Sequence, residues 1–237
     1  MGAKPLSILA FDDMLYAGRE TGRSCGAEAF VAEYGAKNKI KIKNVNLILK
    51  TFDCVFRYEQ LPALSDGDLR GLIQNNLNDY FPMPLIGYTV TYKRAPSVNG
   101  AHVLLAALPD VCAAPYMDIF KRLKIKINKI DIFQNAAAEY IFKNYPGGGA
   151  VSVLASERNG RMNATLMKNG SPVAMRDVGS RGDIEAFARM YGDASPPSST
   201  AARAVYAADA EYESIAAQLD GCEIKKIDLH DFIAAYG

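Results

Sequence analysis

The sequence predicts an α/β protein. Two observations carry that prediction: strand-like and helix-like patterns alternate along the whole chain, and three strand-like runs around an Asn169-Gly170 turn lead into a helical segment. At 237 residues the chain has material for one large domain or two small lobes, with a sizeable buried core. Hydrophobic residues make up 49% and charged residues 22%, the balance of a soluble globular protein.

Taken in order, residues 7–11 read as a short apolar strand. Residues 14–20 pair with it across Asp12 and Asp13, whose short carboxylates suit a tight turn. Residues 25–34 read as a helix ended near Gly35. Residues 45–49 and 54–59 are strand-like, the second carrying Arg57 and leading to Leu61-Pro62. Ser65 has the preferences of an N-cap, and Leu69, Leu72, Ile73 and Leu77 follow at helical spacing. Pro82 and Pro84 stop that helix.

Residues 88–93 and 102–107 read as antiparallel strands joined by a turn around Ser97, Asn99 and Gly100. Pro115 suits the first turn of a helix reaching Leu123. Residues 125–132 form another strand and 135–144 another helix. Gly147, Gly148 and Gly149 make a break that marks a lobe boundary. No Lys-Ser/Thr follows them as in a P-loop, so they read as a linker. Beyond it come strands at 150–156, 162–167 and 172–178, the last two joined by the hairpin signal Asn169-Gly170. A helix at 183–191, a polar loop at 193–200, a strand at 204–206, a helix at 211–219, a strand at 224–227 and a short final helix complete the chain.

Composition excludes several functions. A net charge of +1 leaves no electrostatic footprint for nucleic acid. Cys25, Cys54, Cys112 and Cys222 lie far apart with no CxxC pair, which excludes a structural zinc and reads as reduced cytosolic thiols. No run approaches the ~20 apolar residues of a membrane span. The N-terminal apolar patch, broken by Asp12 and Asp13, is too short for a signal peptide, and Leu6 stands where a myristoylation signal wants Ser or Thr.

No GxSxG elbow is present, and His102 and His230 have no triad or metal-ligand spacing around them, so neither catalytic nor metal-binding residues are assigned. Two basic runs, 37–43 and 121–129, alternate Lys with Ile. They read as strands or strand edges with Lys on the solvent face, or as a basic surface worth about 1 kcal/mol per Lys toward anionic lipid.

The order within residues 53–94 is more specific: a strand carrying Arg57, Leu61-Pro62, an acidic-capped amphipathic helix running to Asn78-Asp79-Tyr80-Phe81-Pro82, then a Tyr-rich strand. It resembles the small inserted subdomain of the PilM family, the actin-like cytoplasmic proteins of type IV pilus assembly. The stretch NGSPVAMRDVGSRGD at 169–183 resembles that family in its strand ending in an Arg and a Gly pair. A β-meander followed by alternating helices and strands is the RNase H-like half that actin-like proteins contain twice.

The resemblance implies an actin-like fold of two RNase H-like lobes. Residues 1–146 would be the first lobe, with a small inserted α+β subdomain at 53–108, and residues 147–237 a shortened second lobe. The cytoplasmic part of the type II secretion protein GspL shares this architecture, and the sequence does not separate the two relatives.

Actin-like proteins hold ATP between two Gly-containing phosphate loops and a Gly-rich adenosine motif, with an Asp at each loop for magnesium. Here the first loop matches Phe11-Asp12-Asp13-Met14-Leu15, with Met14 where Gly belongs. The second matches residues 151–156, which have neither Asp nor Gly, and Val205-Tyr206-Ala207-Ala208-Asp209 lacks the Gly pair. The expectation is therefore a degenerate nucleotide site and no cofactor, with Asp12 the residue to act if ATP binds after all.

In the PilM family the inserted region helps form the groove for a short peptide of the membrane protein PilN. The resemblance implies Tyr80, Phe81, Tyr88 and Tyr92 as partner-binding residues, beside the default reading of aromatics as core. Tyr88 and Tyr92 share one strand face, and Tyr brings contact area and a hydroxyl together. The expected function is a non-catalytic cytoplasmic scaffold of a type IV pilus or related secretion assembly. It would lie at the inner face of the cell membrane, docking the cytoplasmic tail of a PilN-like inner-membrane protein. The alternatives are a nucleotide-binding actin-like ATPase and a GspL-like docking domain for a secretion ATPase.

Overall fold

Every residue from Ser7 to Phe11 is buried, so the strand they form needs a covering layer on each face. The computed structural model supplies both layers; it describes residues 5–12, 14–95, 101–145, 151–158, 160–191, 204–219 and 222–236. The first lobe opens with β1 (Leu6–Phe11), β2 (Met14–Ala17) and β3 (Glu20–Arg23), followed by α1 (Ala27–Lys37) and β4 (Asn44–Leu49). An insertion follows: β5 (Val55–Leu61), α2 (Asp66–Asn75), α3 (Leu77–Tyr80), β6 (Tyr88–Ala95) and β7 (Ala101–Pro109). The lobe resumes with α4 (Asp110–Arg122), β8 (Lys126–Ile132) and α5 (Phe133–Asn144). The second lobe contains β9 (Ser152–Arg158), β10 (Arg161–Lys168), β11 (Ser171–Val178), α6 (Arg181–Tyr191), β12 (Val205–Ala208), α7 (Tyr212–Gln218) and β13 (Ile224–Ile227), and α8 (Leu229–Ala235) ends the chain.

The two large sheets repeat one plan. The first has the order β3-β2-β1-β4-β8 and the second β11-β10-β9-β12-β13. In each, a three-stranded antiparallel meander is extended by two parallel strands. This is the expected pair of RNase H-like lobes. The insertion forms its own sheet, β5-β7-β6. One of its faces, with Val103, Leu105 and Ala107, packs on Leu69 and Ile73 of α2. The alternate residues Phe56, Leu104 and Ala106 face Cys54 and Ile132, with Met175 of the second lobe against them.

Alternation along each strand sorts the rest into five layers. Ile8, Ala10, Val45 and Leu47 meet α1 and α4 through Phe30, Val31 and Phe120. Leu9, Phe11 and Ile48 face the other way, onto α5 and α8, and so do Leu154, Tyr206 and Ile227 from the second sheet. The outer face of that second sheet is covered by Phe187 of α6 and Ile215 of α7. Helix α5 thus lies between two sheets, and its Ala136, Ala137 and Ala138 are all buried there.

Local chemistry explains several boundaries. Asn169 and Gly170 both have positive φ, 50° and 73°, the type I′ turn that suits a right-twisted hairpin. A side chain at Gly170 would also press on Phe142, with its Cβ 3.2 Å away. The Ser65 hydroxyl accepts from the Asp68 amide, as an N-cap should. Ser180 and Asp183 form a similar box at the start of α6, so the Gly179-Ser180 segment of the PilM-like stretch serves here as a helix cap.

Other expectations need correction. Helix α1 passes through Gly35 to Lys37, because Gly inside a helix is tolerated at a cost of about 1 kcal/mol. The basic run 37–43 is a helix end and a connection, not a strand. In the run 121–129, Lys121 and Arg122 end α4 while Lys126 and Lys129 do lie on the edge strand β8. Pro115 sits inside α4, not in its first turn, since the helix already starts at Asp110. The single helix expected after Ser65 breaks at Asn76 into α2 and α3.

Helix α8 leaves the second lobe's sequence and fastens on the first lobe. Ser7 donates to the Tyr236 carbonyl at 2.6 Å, His230 Nδ1 lies 2.8 Å from the Gly18 carbonyl, and the Tyr236 hydroxyl donates to Asp131 at 2.7 Å. The expected turn at Ser97, Asn99 and Gly100, the glycines at 147–149 and the loop at 193–200 fall outside the described residues.

The shared layer makes a stability test. Ala137→Leu should lower stability by roughly 1–3 kcal/mol through overpacking between the sheets. The expected readout is a lower urea midpoint with an unchanged slope, both lobes unfolding in one transition.

Candidate functional site

A concavity of about 730 Å³ opens between the lobes, lined by Asp12, Lys50, Thr51, Asp53, Cys112, Tyr116, Glu157, Glu211 and Ser214 among others. Asp12 follows β1 in the hairpin turn with φ +51°, a left-handed conformation that Asp tolerates. Lys50 follows β4, and its amide extends the ladder by donating to the Ala10 carbonyl at 2.8 Å. Glu157 lies near the end of β9, and Glu211 just precedes α7.

These residues converge on the Lys50 ammonium, whose side chain is 1% exposed. It donates to both Asp12 carboxylate oxygens at 3.0 Å, to the Glu157 carbonyl at 3.2 Å and to Glu211 Oε1. The ammonium also lies 4.1 Å from the centroid of the Phe11 ring, a favourable cation–π placement. Glu211 Oε1 accepts from the Glu157 amide at 2.8 Å, and the Ser214 hydroxyl donates to the Glu157 carboxylate. Asp12 belongs to the first lobe, Glu157 and Glu211 to the second, so one side chain joins them.

Burial raises the Glu211 carboxyl above its ordinary value, with Lys50 and the Glu157 amide opposing and Asp12 adding to the rise. Its Oε2 is shielded from solvent without a hydrogen-bond partner among the described residues, which disfavours the charged form. Beside the cleft, burial pushes the Cys54 thiol up to about 12, so it is no thiolate nucleophile at neutral pH.

The expected phosphate loops can now be placed. The second hairpin turn lies beyond Arg158, not within residues 151–156, because β9 continues through Glu157 and Arg158. It does contain a glycine, Gly160 at φ +74°, but a side chain there would meet only open space, so that glycine serves the turn. At the third position the turn is Asp209-Ala210-Glu211, each with a Cβ, and Ala210 and Glu211 line the cleft. Four lining residues are carboxylates, Asp12, Asp53, Glu157 and Glu211, and the lone cationic lining residue described is Lys50. The lining is therefore net acidic, with Lys50 paired to Asp12 and Glu211. Among the described residues no cluster of three or more His, Cys, Asp or Glu has metal-binding spacing.

The four aromatics named from the sequence come together in the inserted subdomain. Phe81 is 1% exposed and lies inside its core. It therefore cannot line a surface groove: the chain turns inward after α3, and apolar packing holds the ring. Tyr80, Tyr88 and Tyr92 are half-buried around that core. Tyr88, Val90 and Tyr92 share one face of β6, as the period of two requires. Arg57 donates to the Tyr80 carbonyl at 3.1 Å, tying β5 to the end of α3. Strand β6 is an edge of its sheet. Near its start, Ile86 and Val111 are 94% and 77% exposed on either side of the bond from the Asp110 amide to the Gly87 carbonyl.

Lys50 and Glu211 were not legible as functional residues. A Lys after an apolar strand and a Glu before a helix are common placements, and these two meet across 161 positions.

No family model matches the sequence, and no curated protein matches it. Solved structures do. A chain of a PilM–PilN type IV pilus biogenesis complex matches with a TM-score of 0.58 at 14% identity, over 80% of this chain and 66% of that one. This chain therefore spans just under two thirds of that chain's length. A Bacteroides thetaiotaomicron protein of actin-like ATPase fold and unknown function matches at 0.51 and 10% identity, over 97% and 94%. The cytoplasmic domain of EpsL, an inner-membrane component of the Vibrio cholerae type II secretion system, matches at 0.50 and 10% identity, over 94% and 85%. At these identities the likeness is one of fold, and the fold is actin-like. Among the described residues no helix is long and apolar enough to cross a membrane.

The Glu211 environment predicts a pH dependence. Its folded value lies above the unfolded one, so proton binding favours the folded state; that contribution is complete below the unfolded value and lost as pH rises through the folded value. The melting temperature of the wild type minus that of Glu211→Gln should therefore fall as pH is raised from about 4 to about 8, as scanning calorimetry can read.

Proposed function

We propose that this chain is a non-catalytic scaffold of a type IV pilus or related secretion assembly, whose inserted subdomain docks the cytoplasmic tail of a PilN-like inner-membrane protein. The observation that carries this reading is β6, an edge strand with the half-buried Tyr88 and Tyr92 along one face. An extended segment can add to such an edge through backbone hydrogen bonds, its alternate side chains packing beside the two rings. The fold likeness to a chain of the PilM–PilN complex supports this partner class. Docking of that kind would hold the protein at the inner face of the membrane.

In this reading the nucleotide site is degenerate. The acidic lining of the cleft and the Lys50 ammonium at its centre support that part. The fold likeness to the EpsL cytoplasmic domain favours a second reading of the same class, a docking domain for a secretion ATPase.

Fluorescence anisotropy with a labelled peptide carrying the cytoplasmic tail of a PilN-like protein from the same cell tests the docking. The wild type should bind it, and the Tyr88→Ala/Tyr92→Ala double variant should bind at least about tenfold more weakly, roughly 1.4 kcal/mol. A melting temperature close to wild type is the control for folding. Equal affinity of the two proteins would remove the proposed surface. In parallel, calorimetric titration with ATP and magnesium should give no saturable heat; micromolar binding would favour the ATPase.

A further inference from the structure

Three oxygen-bearing groups from two lobes surround one ammonium: the Asp12 carboxylate on the first lobe, and the Glu157 carbonyl and Glu211 carboxylate on the second. Two carboxylates and a carbonyl are the oxygen set that a hard cation collects. Here the cation is covalently part of the chain, anchored beside β4 and 1% exposed. Without it, Asp12 and Glu211 would face each other across the cleft as like charges, Glu211 being almost fully buried.

A ligand that bridges two lobes closes them only while it is bound, so closure follows ligand concentration. A tethered ammonium is always present. A buried ion pair is weak evidence of net stability, because desolvation offsets the Coulomb attraction, but removing one partner is strongly unfavourable. The group therefore acts on which arrangement of the lobes is populated more than on how stable the fold is.

We propose that Lys50 is a built-in cation that sets the closure of the inter-lobe cleft, bridging Asp12 to Glu157 and Glu211 in place of any bound ligand. The tie sits within the cleft, whereas the α5 layer joins the lobes through their shared apolar core. This inference does not depend on tail docking at β6, which involves none of these residues.

Amide hydrogen exchange on the whole protein tests it, comparing wild type with Lys50→Met. The Glu157 amide, held by Glu211, and the segment around residues 209–214 should exchange at least about tenfold faster in the variant, while α5 stays protected. Should Lys50→Met fail to fold with its stranded carboxylates, Lys50→Met/Glu211→Gln removes the buried charge and is read the same way. The probe for the cation role is Mn²⁺ alone: it should restore protection of the Glu157 amide and of residues 209–214 in Lys50→Ala and leave the wild type unchanged. Unchanged exchange in the variants, a loosening that extends through α5, Mn²⁺ binding equally well to the wild type, or no rescue by Mn²⁺ would each overturn the proposal.

Discussion

The structure depends on one constraint: two sheets, each apolar on both faces, must share a single central layer of helix. Helix α5 meets it with small residues. Ala136, Ala137 and Ala138 let β1 and β4 approach from one side and β9 and β12 from the other, while Phe133 and Ile141 fill the wider spaces. The layer is closed by α8, which returns from the end of the chain and is bonded back to the first residues of β1 through Ser7 and Tyr236. The lobes therefore share one core at their base, and the cleft between them opens at the opposite end.

That opposite end is where charge collects. The turn after β1 through Asp12, the end of β9 through Glu157 and the turn before α7 all border the same cleft. In a parallel-stranded α/β lobe these strand ends are the natural place for a ligand. The chain puts carboxylates there and a single buried ammonium among them. Burial, with Asp12 adding to it, raises the Glu211 carboxyl even against Lys50. Such a cluster is costly to assemble, and its geometry depends on both lobes holding their places.

Much of the fold was legible because local rules force it. Asn169-Gly170 needs positive φ at both positions, which almost no other dipeptide allows so cheaply, and the hairpin is where that pair lies. Ser65 caps because Asp68 follows three residues later. The misread boundaries have equally local causes. Glu157 and Arg158 look like loop, yet β10 pairs with both. Pro115 looks like a helix start, yet Pro109 and Asp110 already provide one and the helix absorbs a missing amide. Phe81 looks like the neighbour of Tyr80 on a surface, but one step along the turn puts it in the core. The cleft was the least legible part, since Lys50 meets Asp12, Glu157 and Glu211 only through long-range packing. No short pattern in a single sequence encodes such a meeting.

The two candidate surfaces differ in the physics that would govern them. The cleft is polar and already internally paired, so a newcomer would have to displace a desolvated ammonium from three oxygen-bearing groups before gaining any contact. At β6 the backbone is an open edge and the rings of Tyr88 and Tyr92 are half covered. A strand added there would gain hydrogen bonds and apolar contact without breaking any. The inserted sheet is also braced from behind, because Phe56, Leu104 and Ala106 rest on Ile132 and Met175 of the main body. An edge braced in this way would lose little conformational freedom to a partner, and a low ordering cost raises the affinity that a given contact area yields.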